Sequence, residues 1–262
     1  VFNLSFLMEL SSPSVPMCGH RHVSGIFLAI GLMVAAGILG YAYDHAHPAD
    51  QKTMTVTGST ERLVQSDTVK WSVTLSKTVG VTSQADAGRK LDASREAFIA
   101  YLAAAGITKD HVAIQPVSLS DIVTTVDYKT GQTALTGYSA SQVLVIESDK
   151  VNEIAALSQG ASVAMAEKDI TLSTQALEYY FNKLADLKLE LLTAATKNAR
   201  ARGEAILSGA GNGTLGEITS ADTGVFQVTA VNSADLSDYG TYDTTSPSKK
   251  VTAVVHATFL LK

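Results

Sequence analysis

The chain has 262 residues, of which 46% are hydrophobic and 17% are charged, and its formal net charge of −5 gives no reason to expect a nucleic-acid partner. This length suits one large domain or two small ones. The densest basic cluster, Lys197, Arg200 and Arg202, lies in the last turns of a predicted helix, where the helix dipole favours cations. The single cysteine, Cys18, excludes a disulfide within the chain.

The N-terminal part contains an apolar run at residues 23–43 that has no charged side chain. As a helix this run would be about 31 Å long, which matches a bilayer core, so it predicts a transmembrane anchor. A His-Arg-His sequence precedes it, and Asp44 and Asp50 follow it, so residues 1–22 are expected in the cytoplasm and the larger C-terminal part outside it. Met17 is an alternative start site within this tail. A secretory signal peptide is the alternative interpretation, although its apolar core is usually shorter and no cleavage site of small residues follows closely.

A folded domain is predicted at residues 53–262, after a polar linker at 44–52. Met54 and Val56 indicate a short first strand, with residues 58–67 as the connection to the second. The second strand has the period of two that is typical of a strand with one buried face. Its apolar residues are Val69, Trp71, Val73 and Leu75.

A helix, a hairpin and a second helix are predicted next. Ser83 can cap the first helix, which is expected to end at Gly106. Two strands at about 112–128 and 135–147 are joined through Gly131 as a long hairpin. Ser148 or Asp149 then caps a short helix that is expected to end at Gly160, and residues 163–172 return as a strand.

The longest predicted helix runs from about Thr174 to Gly209, because apolar residues recur there three or four apart with charged residues between them. Strands are expected at 217–229 and 250–261, and the second of these carries alternating apolar side chains. The predicted buried stripe of the helix comprises Leu177, Phe181, Leu184, Leu191, Leu192, Ala195, Ala199 and Ile206.

Hairpins mixed with helices predict an α+β domain of two layers. One layer is a largely antiparallel sheet, and the other consists of helices that cover it, including the long one. The N-terminal transmembrane helix precedes this domain.

Two short motifs were considered as catalytic or cofactor sites. Residues 211–216, GNGTLG, match the dinucleotide pattern G-x-G-x-x-G, but a helix is expected to end there and a strand to begin, which is the reverse of the context that the pattern needs. Residues 137–141, GYSAS, resemble a nucleophile elbow, but Ser139 lies within a predicted strand, and only His111 and His256 of the predicted domain could serve as its base. We therefore predict no catalytic and no cofactor-binding residues.

Two groups of residues were considered as metal sites. His45 and His47 with Asp44 and Asp50 have the chemistry of a transition-metal site, yet a hydrated linker beside the membrane explains them more simply. A long loop at residues 231–249 contains three aspartates that lack the spacing of an EF-hand, so no metal site is predicted there. Tyr239 and Tyr242 in this loop are expected to be exposed and available for a protein contact. The three aspartates are Asp235, Asp238 and Asp243.

Several segments together resemble the SIMPL domain, the bacterial domain of unknown function numbered 541. The resemblance covers about Met54 to Lys262. Its most specific parts are GYSASQ, which is followed by an apolar strand and Asp149, and ATKNARARGEAI, which precedes a glycine-rich segment that ends the helix. It implies a protein that lies in the periplasm or is anchored facing it, with no assigned reaction, and it implies ring-like or channel-like homo-oligomers. No catalytic residues are agreed for the family, so none is carried over. The loop at 231–249 departs from the commoner members.

We therefore expect a single-pass protein of the inner (cytoplasmic) membrane with its C-terminal domain in the periplasm. Its expected role is that of a self-associating structural or scaffold protein, with sheet edges and the loop at 231–249 meeting neighbouring copies. The alternative is a ligand-binding or stress-response module, which would have an apolar pocket between the long helix and the sheet. An enzyme is not expected, because no set of acid, base and nucleophile is recognisable.

Overall fold

The computed structural model of the chain describes residues 21–46, 52–127, 129–211, 213–235 and 237–262. The chain divides into two compact units between Lys52 and Thr53.

The first unit contains one described helix, α1, at Arg21–Ala46. Within it, Gly25–Tyr43 has a mean hydropathy of 2.1 and none of its residues is buried. By length and composition this segment can cross a membrane, and it also fits a signal sequence. The helix includes the first residues of the predicted linker. Cys18, Met17, His47 and Asp50 lie outside the described residues.

The second unit is α+β, as predicted, and its strands form two sheets. We call the first one sheet A; its strands lie in the order β1-β11-β9-β10, and β8 pairs with β11 on the same side as β9. All its pairings are antiparallel except that of β9 with β10. The long helix α4, Leu184–Ala210, packs on this sheet. The strands are β1 Thr53–Gln65, β8 Leu215–Thr223, β9 Gln227–Ala230, β10 Thr241–Tyr242 and β11 Ser248–Leu261.

Sheet B is antiparallel throughout and has the strand order β3-β5-β2-β6, with β4 paired to β5 and β7 paired to β2. Helices α2, Gln84–Ala104, and α3, Val151–Ala166, pack on it. The strands are β2 Thr68–Val79, β3 Val112–Ile114, β4 Ser118–Asp127, β5 Gln132–Ser148, β6 Thr171–Thr174 and β7 Glu178–Tyr180.

Each sheet has its own core. In sheet B, Trp71 is fully buried, its ring meets that of Phe98 edge to face at 5.8 Å, and its Nε1 donates to Thr174 Oγ1 at 2.7 Å. In sheet A, α4 buries side chains every four residues against alternate residues of β11, as predicted for that strand. The buried helix positions are Leu187, Leu191, Ala195, Ala199, Gly203 and Leu207.

Several local predictions are confirmed. Ser83 Oγ accepts from the Asp86 backbone N–H at 3.1 Å at the start of α2, and Gly106 has a φ of +80° after its end. Gly131, with a φ of +71°, lies in the turn of the hairpin formed by β4 and β5.

The long helix was predicted ten residues too long at its start. Thr174 is the last residue of β6 and residues 178–180 form β7; both strands pair with β2, and this pairing outweighs the helical pattern that begins at Thr174. The predicted buried stripe was also wrong near the end of the helix, where Leu207 is buried and Ile206 is exposed.

Two other boundaries were wrong. Helix α3 continues through Gly160 to Ala166. The predicted strand at 163–172 is therefore reduced to β6. Strand β1 extends to Gln65, through most of the expected connection at 58–67, because it pairs with β11 along its whole length.

Candidate interaction surfaces

The hairpin of β4 and β5 is the most exposed part of sheet B. Strand β4 has 10 residues and pairs with β5 at residues 132–141, and β2 occupies the other edge of β5 from Tyr138 onward. No other described strand pairs with β4, so its outer edge is open towards the part of the chain that the structure describes. None of the described β4 side chains is buried. Val123 is 58% exposed and Val126 is 57% exposed. Apolar side chains along an open edge are typical of strands that pair with another chain.

The apolar inner face of sheet B continues into this hairpin. Ala140, in the core, lies opposite Leu119 on β4, and further along the hairpin Val123 lies opposite Leu135. Cross-strand partners share a face. Helix α2 reaches the hairpin at its first residue, where Gln84 Nε2 donates to Asp121 Oδ1 at 2.7 Å. Leu119, Val123 and Leu135 are exposed on this face.

The edge of sheet A at β1 is protected, in contrast to that of β4. Arg202 Nη1 donates to the Thr57 carbonyl at 3.1 Å, and the Ser59 backbone N–H donates to Asn198 Oδ1 at 3.2 Å. Both side chains come from α4, so the helix covers the edge as well as the face. Strand β8 is also mostly exposed, but Ile218 is its one exposed large hydrophobic residue.

The loop at 231–249 ends at a buried lysine. Lys249, which is 0% exposed, occupies the core face of β11 next to Val251. Its Nζ donates to the Ser246 carbonyl at 2.8 Å and to the Asp243 carbonyl, and lies 3.7 Å from Asp243 Oδ2. Burial lowers the pKa of the Lys249 ammonium, and the charge of Asp243 opposes this shift. The lysine therefore fixes the second half of the loop on the end of sheet A.

The carboxyl group of Asp243 is held by its own turn. Burial raises its pKa, but hydrogen bonds from Thr245 and Ser246 and the charge of Lys249 lower it by more, so the pKa lies below its ordinary value.

The two tyrosines of the loop differ in environment. Tyr239 is 97% exposed, as predicted. Tyr242 is only partly exposed: its hydroxyl accepts from the Phe181 backbone N–H at 3.0 Å, and its ring stacks on Tyr180 at 6.3 Å between centroids. The predicted exposure is confirmed for both tyrosines, since Tyr242 is 41% exposed, and Tyr242 in addition connects the loop to the segment that follows β7.

A depression of about 400 Å³ lies beside β9, β10 and the loop. Its lining combines the ring of Tyr242 with hydroxyl and carboxyl side chains, including Thr229, Asp235 and Asp243. The ligand-binding alternative requires a pocket elsewhere, between α4 and the sheet. There the helix lies so close that a Cβ atom added to Gly58 would come within 2.1 Å of the Ala195 carbonyl oxygen.

The aspartates of the loop have separate partners. Asp235 Oδ2 accepts from Ser233 Oγ at 2.9 Å, whereas Asp243 contacts Thr245 and Lys249. Within the described ranges, no group of three or more histidine, cysteine or acidic side chains could hold a metal ion.

The structure does not bring Ser139 near His111. Ser139 lies on β5 opposite Thr78 and Ser120, while His111 Nδ1 contacts the Glu147 carbonyl at 3.0 Å, eight positions further along β5. Eight strand residues span about 26 Å.

His256 belongs to the other sheet. Its Nδ1 lies 2.9 Å from Thr57 Oγ1, and Asp222 lies opposite it on β8. These three side chains lie side by side on an exposed sheet face, not in a cleft, and the cross-strand register that places them together was not predicted from the sequence.

The glycines of the dinucleotide-like motif end the helix and start the strand. Gly211 caps α4 with a φ of +71°, Gly213 has a φ of +79°, and Gly216 lies in β8. Asn212 lies outside the described residues. This is the helix-stop role expected from the sequence context.

Comparison with known families gives one match: the SIMPL family, described as a protein of unknown function (DUF541), matches residues 54–259. Comparison with curated proteins gives no match.

Proposed function

This chain belongs to the SIMPL family of proteins of unknown function, and from that premise we propose that it is a membrane-anchored envelope protein that self-associates through the outer edge of β4. Its role is structural and not catalytic. The observation that carries the proposal is the 10-residue β4 edge, which is open and lined by exposed valines.

The apolar segment Gly25–Tyr43 supports the anchor. It has the length of a bilayer core and no buried residue, so lipid is a suitable environment for its side chains. With residues 1–22 in the cytoplasm, the unit that begins at Thr53 would lie in the periplasm. An uncleaved anchor, as opposed to a signal peptide, keeps every copy on one surface and so raises the effective concentration of copies for each other.

A second copy of β4 is the proposed partner of this edge. Two β4 strands that meet antiparallel across a two-fold axis would satisfy their outward backbone N–H and C=O groups and extend sheet B through both copies. The pairing of β4 with β5 shifts register at Ile122/Val123 and again at Thr125/Asp127, and residues 118–125 of β4 span about 26 Å, which is long enough for an extended ladder. The exposed apolar side chains of the hairpin would come together at this seam, and that burial favours association.

Light scattering on the full chain in detergent tests this proposal, with Val126→Lys as the disrupting variant. A lysine on an edge strand opposes pairing between like copies. Val163→Lys on α3 is the matched control, because Val163 is equally well exposed at 65% and lies outside the hairpin.

We expect the unaltered chain and the control to have the mass of a dimer or a larger assembly, and Val126→Lys to shift the mass towards the monomer with an unchanged melting temperature. A monomeric unaltered chain at high concentration contradicts the proposal. So does equal dissociation of the control, since that would indicate a contact that does not depend on the hairpin.

A further inference from the structure

The depression beside β9, β10 and the loop at 231–249 has the size of a ligand site. Its volume of about 400 Å³ lies within the roughly 300–1,000 Å³ of small-molecule pockets. It is formed by a sheet edge and by the loop, whose second half Lys249 fixes in place, so the fold sets the part of the wall that contains Asp243 and Thr245.

The lining presents mainly hydrogen-bond acceptors. Three hydroxyl groups that line it already donate within the protein: Thr241 to Gln227 Oε1 at 2.8 Å, Thr245 to Asp243 Oδ1 at 2.7 Å, and Ser233 to Asp235 Oδ2 at 2.9 Å. Their remaining lone pairs accept, as do carboxylate oxygens. A ligand that fits this lining must therefore supply several donors.

Thr229 adds a hydroxyl group that is open to the depression. The residue is 5% exposed and lines the depression, and no described residue forms a hydrogen bond with its hydroxyl. This hydroxyl is not enclosed, because Ser66 Oγ is the one enclosed side-chain polar atom without a partner among the described residues. The Thr229 hydroxyl can therefore form a hydrogen bond with a ligand hydroxyl in the depression.

The charges argue against an anion. Asp235 and Asp243 both line the depression and would repel phosphate or carboxylate. The two nearest lysines donate elsewhere, Lys249 to the carbonyls of its own turn and Lys250 to the Ser233 carbonyl at 3.4 Å. Since Lys249 offsets the charge of Asp243, a strongly cationic ligand is not favoured either.

We propose that this depression binds a neutral saccharide. A sugar supplies many hydroxyl donors without charge, and its apolar C–H groups can contact the exposed part of the Tyr242 ring, as aromatic side chains have an apolar body. The same ring also stacks on Tyr180 and lies 5.8 Å from Lys249 Nζ. The carboxylate of Asp235 and the hydroxyl of Thr229 bind sugar hydroxyls.

Titration of the full chain with N-acetylglucosamine, glucose and maltose, followed by calorimetry or protein NMR, tests this proposal. The detergent must carry no sugar headgroup, because such a headgroup would compete for the site. Thr229→Val and Asp235→Asn keep the side-chain shape and remove a polar contact. Tyr239→Ala is the matched control, because this exposed residue is in the same loop and does not line the depression.

We expect saturable binding of at least one sugar, weakened about tenfold or more by either substitution and unchanged in the control; tenfold corresponds to the loss of about one hydrogen bond. If Thr229→Val lowers the melting temperature, its loss of sugar binding could come from a disturbed fold, and the sugar affinity of Asp235→Asn then decides the test. The absence of saturable binding at about 10 mM, binding that both variants retain, or a response to ethanolamine in place of the sugars would each overturn the proposal.

Discussion

Gly58 of β1 lies directly against Ala199 of α4. A Cβ atom at position 58 would come 2.7 Å from the Ala199 Cβ and 2.5 Å from its backbone nitrogen. Gly58 also faces Ala195. The helix therefore approaches the strand at a point where all three residues, Gly58, Ala195 and Ala199, are small. This contact sets the distance between α4 and sheet A.

Gly58→Ala is therefore expected to destabilise the domain. The added methyl group meets backbone atoms, which can move only with the whole helix, and such overpacking costs about 1–3 kcal/mol or more. Thermal or urea unfolding measures the loss. Gly88→Ala is the control: it lies in α2 with nothing within 4 Å of its added Cβ, and should stabilise by up to about 1 kcal/mol. An unchanged melting temperature for Gly58→Ala would contradict the close packing.

Lys249→Met should destabilise the end of sheet A. The substitution keeps the apolar stem but leaves the buried carbonyls of Asp243 and Ser246 without their donor, at a cost of about 1–3 kcal/mol. Unfolding experiments measure this, and limited proteolysis should detect the loosened loop. Lys250→Met is the matched control, because the ammonium of Lys250 makes only one longer contact, at 3.4 Å. Equal effects of both substitutions would argue against a special role for the buried lysine.

The stability contributed by Asp243 should disappear in acid. Its pKa is lowered in the folded state from an ordinary value of 3.8, so the folded state favours the ionised form. The contribution is present in full above 3.8 and is lost as the pH falls from 3.8 through the lowered folded-state value. Asp243→Asn should melt lower than the unaltered chain at pH 7, and the difference should shrink at low pH. A difference that is independent of pH would contradict this assignment.

The anchor can be tested by mass and by one substitution. Intact mass of the membrane-extracted protein should include Gly25–Tyr43, whereas a signal peptide would be missing. Val34→Lys places a charge near the centre of this segment, which costs about 2.5–3.5 kcal/mol for membrane insertion, and should reduce the fraction that resists alkaline extraction. Val163→Lys in α3 should leave that fraction unchanged. Full extraction of the unaltered chain at alkaline pH would argue against an anchor.

Much of the fold follows from local signals in the sequence. The period of two placed β2 and β11, Ser83 and Gly106 bounded α2, and Gly131 marked the hairpin, because each signal acts within a few residues. The wrong boundaries depend on distant partners. Residues 174–180 have a helical pattern, but strands in this segment pair with β2, about a hundred positions earlier in the chain. Gly58 has the composition of a turn residue, but it lies in β1, where α4 packs on it.

The candidate surfaces were harder to predict for the same reason. The loop at 231–249 was identified by its length and composition, but the partners of Lys249 and Tyr242 come from its own fold and from the segment after β7. Nothing in the local sequence distinguishes the covered edge of β1 from the open edge of β4, since Asn198 and Arg202 reach β1 from a helix more than a hundred residues away.

The buried ammonium of Lys249 also divides the loop into two parts with different tolerance to evolutionary change. The turn at 243–246 must keep its length, because the carbonyl groups of Asp243 and Ser246 must lie within hydrogen-bonding distance of Lys249 Nζ, near the start of β11. The exposed residues around Tyr239 do not contact Lys249, and they do not line the depression. Insertions, deletions and sequence drift among relatives should therefore accumulate around Tyr239 and stop short of Tyr242.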